Sequence, residues 1–221
     1  MTLKLKFGKI ISLMQSTLRN NNLVRATALK NLQTQENGDP YKILIGTILS
    51  ARTRDETTTN VIKILFSKFK NADELSRANL KDIKELIQKI GFYNVKAARI
   101  KEVSKILVEK YDSKVPSNLE DLLSFPGVGR KTANCVLVYG FRKPAIPVDV
   151  HVHRISNRIG IVNTKKPEET ETVLQKSIDR KYWTAVNETF VVFGQNICLP
   201  IKPKCSVCRL TKLCKYYESN N

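Results

Sequence analysis

Four of the chain's five cysteines, Cys198, Cys205, Cys208 and Cys214, fall within seventeen residues in the spacing C-x6-C-x2-C-x5-C. That crowding constrains the end of the chain more than any other feature. The backbone must wrap so that four thiols face one centre, a donor set that fits one tetrahedral metal ion or an iron–sulfur cluster. Zinc ribbons usually offer two C-x2-C pairs and this segment has one, so spacing leaves both centres open. Secreted folds spread cysteines out as disulfide pairs, and the clustering therefore predicts a reducing interior. The fifth, Cys135, stands beside Val136 and Leu137 and reads as a small buried hydrophobe.

Charge narrows the partners. Lys and Arg number 38 against 20 Asp and Glu, a formal net charge of +18. A field of that sign concentrates polyanions, and nucleic acid is the foremost of them. The longest uncharged stretch, Thr189 to Ile201, has 13 residues, short of the about 20 that a membrane-spanning helix needs. No apolar leader follows Met1, which argues against secretion. The first acid is Glu36, and Lys4, Lys6, Lys9, Arg19, Arg25 and Lys30 precede it. Ile10, Ile11, Met14 and Leu18 form a helical stripe suited to packing, so this segment is expected to be a docked first helix rather than a mitochondrial presequence.

The periodicity is helical almost throughout. Asp39 before Pro40 predicts an N-cap with proline in the first turn. Val61, Ile62, Leu65, Phe66 and Phe69 share one helix face, as do Ile83, Leu86, Ile87 and Ile90, with Gly91 expected as the C-terminal cap. Ile100, Val103, Ile106 and Leu107 repeat the pattern. Ser117 to Glu120 reads as a capping box ahead of Leu122, Leu123 and Phe125. Val148, Val150 and Val152 alternate as a strand would, but a helix capped by Asp149, with Val152, Ile155 and Ile159 inward and Gly160 as its stop, accounts for more positions. The expected class is all-α.

Between two of these helices runs a short connection, Phe125-Pro126-Gly127-Val128-Gly129-Arg130-Lys131. Two glycines around one apolar residue permit torsions that side chains forbid and leave amides uncovered at a helix N-terminus, a site suited to phosphate. Arg130 and Lys131 add charge there.

Leu123 to Asn134 resembles the helix-hairpin-helix of the endonuclease III family of DNA glycosylases. Val148-Asp149-Val150-His151-Val152-His153-Arg154 resembles the segment carrying that family's catalytic aspartate, and the separation of Lys131 from Asp149 matches as well. Ile48-Leu49-Ser50-Ala51 and Gly91 to Ala97 are weaker matches, so that the resemblance runs from Asn31 to Tyr217. It implies a helix-hairpin-helix DNA glycosylase fold of two helical lobes with the DNA cleft between them. Residues 31–143 would form a six-helix domain with the hairpin at 117–141. Residues 1–30 and 144–221 would form a cluster lobe with its loop at 198–214.

The resemblance also implies a [4Fe–4S] cluster on Cys198, Cys205, Cys208 and Cys214. The activity implied is base-excision repair, with removal of oxidised pyrimidines from duplex DNA and cleavage 3′ of the abasic site. Lys131 would be the nucleophile. An amine must be neutral to attack, and in a helix's first turn beside Arg130 both the dipole and the cation disfavour the ammonium. Asp149 would relay a proton and stabilise positive charge on the sugar, with His151 in support. Gly127, Val128, Gly129 and Arg130, together with Lys202, Lys204, Arg209 and Lys212 of the cysteine loop, would hold the DNA backbone. Many members carry glutamine after Ser50-Ala51 to fill the gap left by a flipped base; here Arg52 stands there, able to fill the gap and bond the orphan base. Two rival readings remain: a mismatch glycosylase acting on thymine or uracil opposite guanine, against which Lys131 argues, and a helix-hairpin-helix module without catalysis, to which Asp149 and the cysteines would be superfluous. The expected protein is an intracellular monomer, cytoplasmic or nucleoid-associated rather than mitochondrial or nuclear, with damaged duplex DNA as partner and no membrane.

Overall fold

The structure, a computed structural model, describes residues 3–23 and 27–220. Arg25 lies outside the described residues, as do the side chains of Lys4 and Lys6. Among the described residues there are helices, turns and loops but no strand, so the all-α reading holds. No helix among them is long and apolar enough to cross a membrane. The chain divides into two compact units, one of Met1–Thr27 with Pro144–Asn221 and one of Ala28–Lys143.

The first unit begins with α1 (Leu3–Asn20), whose stripe of Phe7, Ile10, Ile11, Met14 and Leu18 is buried as its spacing demands. These side chains share one core with Val152, Ile155 and Ile159, with Leu174, and with Phe190 and Phe193. Phe7 stacks on Phe190 with ring centroids 6.3 Å apart.

The second unit opens with α2 (Ala28–Gln35) and α3 (Pro40–Ser50). Asp39 caps α3 through bonds to the amides of Tyr41 and Lys42, with Pro40 in the first turn as expected. There follow α4 (Asp55–Lys68), α5 (Ala72–Arg77), α6 (Leu80–Ile87) and α7 (Tyr93–Lys110), each burying its apolar face. Then come α8 (Leu119–Ser124) and α9 (Arg130–Cys135), the latter running on into a π turn over Val136–Gly140. The first unit resumes with α10 (Val150–Ile159), α11 (Pro167–Ser177), α12 (Trp183–Asn196) and α13 (Lys215–Asn220).

Two cap assignments are corrected. Asn118, not Ser117, caps α8: its side-chain oxygen accepts from the Asp121 amide at 2.9 Å, while Ser117 offers its hydroxyl and carbonyl to the Lys143 ammonium at 2.8 and 2.6 Å. Neighbouring Ser and Asn compete for one cap, and the distant lysine settles which is spared. Gly91 does not cap α6, which ends at Ile87; the left-handed residue is Phe92, φ 59°, at the start of α7. The helix at Asp149 is borne out at both ends, with Gly160 at φ 84° as its stop.

Met14 is fully buried against this core. Met14→Ala is expected to lower the free energy of urea unfolding by about 2–5 kcal/mol. A loss within about 0.5 kcal/mol, as at a surface position, would mean that α1 is not docked as described.

Candidate active site and nucleic-acid interface

The hairpin between α8 and α9 is anchored from beneath. Phe125 is buried with its ring centroid 5.5 Å from that of Tyr111, Val128 is buried, and the Val128 amide closes the turn on the Phe125 carbonyl at 3.1 Å. Gly127 takes φ +76°, and a Cβ there would strike the Arg99 side chain. Gly129 is different. Its backbone is ordinary, at φ −94°, and nothing lies within 4 Å of where a Cβ would be. The chain's own packing does not require glycine there, whereas a partner backbone approaching the turn would. Gly129 is also the N-cap of α9 and brings no side chain of its own to the start of that helix. Arg130 and Lys131 follow in its first turn, both half-buried.

Asp149 caps α10 through one oxygen alone. Its Oδ1 accepts from the amides of His151 and Val152, both at 2.9 Å, which fixes the carboxylate and leaves Oδ2 out of the cap. One turn on, Arg154 donates Nε and NH2 to the Cys198 carbonyl at 3.2 and 2.8 Å and NH2 to the Gly194 carbonyl at 3.0 Å. The same NH2 lies 3.1 Å from His151 Nδ1. Burial pulls the Arg154 guanidinium below its usual range. A further turn along, Arg158 donates to the carbonyls of Leu199 and Pro200 at 2.6 and 2.7 Å and stacks over Tyr216.

Those arginines hold the cysteine loop against α10. Cys198, Cys205, Cys208 and Cys214 line one pocket with Ile155, Phe193, Ile197, Leu210 and Tyr216. As the side chains stand, no three His, Cys, Asp or Glu among the described residues are arranged to hold a single metal ion. Two N–H groups point at sulfur, Arg158 NH1 to Cys198 at 3.5 Å and the Leu210 amide to Cys208 at 3.4 Å. Burial, reinforced by the neighbouring cysteines, pushes the Cys208 thiol up to about 11. Any metal must therefore displace protons to bind here.

Of the basic residues read as DNA contacts, Lys202, Lys204 and Lys212 are exposed, Lys202 at φ 51°. Arg209 is exposed as well, and its NH1 donates to Ser16 at 2.9 Å and its amide to Thr17 at 3.2 Å, tying the loop to α1. Arg52 is exposed and left-handed, φ 54°, just past the end of α3, with its guanidinium 5.6 Å from the centre of the exposed Phe92 ring. Beneath this pair lies Lys96, 4% exposed, whose ammonium donates to the carbonyls of Leu49 and Ala51 and to the Thr53 hydroxyl.

Residues 45–180 match the model of the HhH-GPD superfamily base excision DNA repair proteins. Endonuclease III of Thermotoga maritima is 51% identical over 180 residues, 81% of this chain and 84% of that protein. The chain belongs to the endonuclease III family. A trapped endonuclease III–DNA covalent intermediate superposes with a TM-score of 0.83 at 31% identity, covering 99% of both chains. A thermostable thymine-DNA glycosylase superposes at 0.81 and 29%, covering 97% of each. The chain is thus a base-excision-repair DNA glycosylase and abasic-site lyase.

For a member of this family, the sequence reading missed three side chains. Lys96 carried a signal, because it occupies the stripe of Ile100, Val103 and Leu107, where a cation is out of place. Arg154 and Arg158 carried none, since the carbonyls they bind lie about forty positions away. Arg154→Met would leave the Gly194 and Cys198 carbonyls short of donors. It is expected to cost about 1–3 kcal/mol in thermal or urea unfolding; an unchanged midpoint would mean the loop does not rest on this guanidinium.

Proposed function

We propose that this glycosylase removes oxidised pyrimidines from damaged duplex DNA with Lys131 as nucleophile. The observation that carries the proposal is a lysine in the first turn of α9, directly after a turn whose second glycine the fold itself does not require. That turn supports a phosphate site, which would set the DNA backbone against the helix that bears the amine. The neutral amine of Lys131 attacks the anomeric carbon, the C–N bond to the base breaks, and the base leaves with its electron pair and takes up a proton. The aminal so formed then opens: the nitrogen lone pair makes the C=N bond as the bond from the anomeric carbon to the ring oxygen breaks, and that oxygen takes up a proton. The resulting Schiff base acidifies the adjacent sugar carbon; loss of that proton expels the 3′ phosphate and the strand is cut. Similarity to an endonuclease III–DNA covalent intermediate supports a covalent route. Asp149 accepts the proton that the amine gives up and stabilises positive charge on the sugar; the capping of Oδ1 alone supports this role, because the carboxylate is held while Oδ2 stays available. Reaching the anomeric carbon requires the base to leave the stack, and Arg52 fills the space it vacates. Gly127, Val128, Gly129, Arg130, Lys202, Lys204, Arg209 and Lys212 hold phosphates, and Arg209 also fixes the loop on α1.

Cys198, Cys205, Cys208 and Cys214 are assigned to a [4Fe–4S] cluster. Four thiols line one largely apolar pocket, and the resemblance of their C-x6-C-x2-C-x5-C spacing to the family's cluster loop supports a cluster over a single zinc ion. The N–H groups aimed at Cys198 and Cys208 support the same assignment. The cluster supplies a fold for the cationic loop, and no chemical step passes through it. The protein works as a monomer in a reducing interior.

Borohydride should trap an adduct with a thymine-glycol duplex, and Lys131→Ala should abolish both adduct and strand cleavage while retaining most of the binding. An undiminished adduct in Lys131→Ala, or action confined to a guanine–thymine mismatch, would overturn this reading in favour of another nucleophile or of the thymine-glycosylase relative. Anaerobically purified protein should hold about four irons per chain. Cys208→Ala should lose iron and DNA binding together, and Cys135→Ala should keep both; stoichiometric zinc without iron would refute the cluster.

A further inference from the structure

The Lys96 ammonium is built into a place where a lysine is costly to keep. It is 4% exposed and spends all three N–H groups on neutral oxygens, those of Leu49 at 2.8 Å, Ala51 at 2.6 Å and the Thr53 hydroxyl at 3.3 Å. The charged groups that face it are Arg99 on its own helix and Arg52 on the turn after α3, both cations, which with Lys96 line one pocket. What favours the charge is the carbonyl end of α3, the negative end of that helix. An apolar side chain would fill the stripe of Ile100, Val103 and Leu107 without these demands.

The three oxygens belong to the turn that presents Arg52. Leu49, in the last turn of α3, and Ala51, its C-cap, supply two of them, and the Thr53 amide closes on Ser50 at 3.1 Å. Arg52 sits between them at φ 54°, in a region that glycine takes readily and a side chain does not. The Thr53 hydroxyl also lies 3.3 Å from the Gly91 amide, and a Cβ on Gly91 would stand 3.1 Å from the Arg52 carbonyl. Phe92, the second left-handed residue, follows at once and sets its exposed ring beneath the Arg52 guanidinium. Two strained, exposed side chains are thus pinned side by side through one buried cation. Strain of this kind persists only where the surroundings over-determine it.

We propose that Lys96 is a positioning residue for base removal, its buried ammonium locking the Leu49–Thr53 turn so that Arg52 is held ready to fill the space of an extruded base. The proposal rests on the reading of Arg52 as gap filler. Burial and then the Arg99 charge pull the Lys96 ammonium down to about 8. Once deprotonated it has two N–H groups for three acceptors, and its lone pair faces an oxygen, so the lock loosens as pH rises past that value. Global stability moves the other way. A lysine whose folded value lies below its ordinary 10.5 binds fewer protons folded than unfolded, so its charge costs stability from the acid side up to about 8 and the cost fades towards 10.5.

The test compares two single-turnover rates in the full protein, excision from a thymine-glycol duplex and cleavage of a duplex with a preformed abasic site. Lys131 acts in both, so their ratio cancels its own titration. In the unsubstituted protein the ratio should fall as pH rises through about 8, while Lys96→Met should lower it at least about tenfold and make it independent of pH. Lys96→Gln, which keeps two N–H donors, should lie between them and serves if the Met variant does not fold. A ratio that does not change with pH in the unsubstituted protein, or that both variants leave unaltered, overturns the positioning role. Borohydride trapping on the abasic duplex separates the two readings: its absence in the unsubstituted protein defeats the Lys131 chemistry, and its presence beside an unaltered ratio defeats only the role of Lys96.

Discussion

One carboxylate oxygen organises much of what the first unit does. Asp149 Oδ1 takes the two amides that open α10, and this fixes both the start of the helix and the direction of the carboxylate. From that start the helix spaces Arg154 and Arg158 one turn apart, each reaching carbonyls of the segment that leads into the cysteine loop. Gly160 then ends the helix in the left-handed conformation, and its Cα packs against the Lys215 side chain at the beginning of α13. The carboxylate assigned to catalysis and the loop assigned to the cluster are therefore set by the same ten-residue helix. A change in how α10 begins would be felt at both.

The second unit makes similar use of helix ends. At α9 the N-cap is Gly129, which adds no side chain of its own at the positive end of the helix. At α3 the C-terminus is covered by an ammonium from another helix, and the residue just past it, Arg52, is driven into a conformation that side chains avoid. Backbone dipoles do work that a row of surface charges could not do as selectively. With a net charge of +18 spread over the chain, attraction to DNA is general; what is local is where a helix end lies and where a side chain is held still.

Local signals were the legible ones. The caps at Asp39 and Asp149 and the stop at Gly160 depend on residues within a turn of one another, and the structure has them as the sequence reads. The stripe of α1 likewise follows from spacing alone. Legibility failed where a distant partner decides. Ser117 and Asn118 are equal candidates until Lys143, twenty-six positions away, claims the serine. The hold of Ser16 and Thr17 on Arg209 is invisible for the same reason, since they lie more than 190 positions away. The π turn at Val136–Gly140 leaves no trace in an apolar run that would suit any helix. Lys96 was visible as a cation on an apolar face, but its purpose needs the end of α3 to be brought over α7.

Every chemical role proposed for this site depends on a covalent bond between Lys131 and the sugar of the damaged nucleotide. Its most direct test is to reduce the complex with a thymine-glycol duplex, digest protein and DNA, and locate the sugar remnant by tandem mass spectrometry. The added mass should fall on Lys131, in the peptide that follows Gly127-Val128-Gly129-Arg130. The mass on any other lysine, Lys96 included, would contradict it.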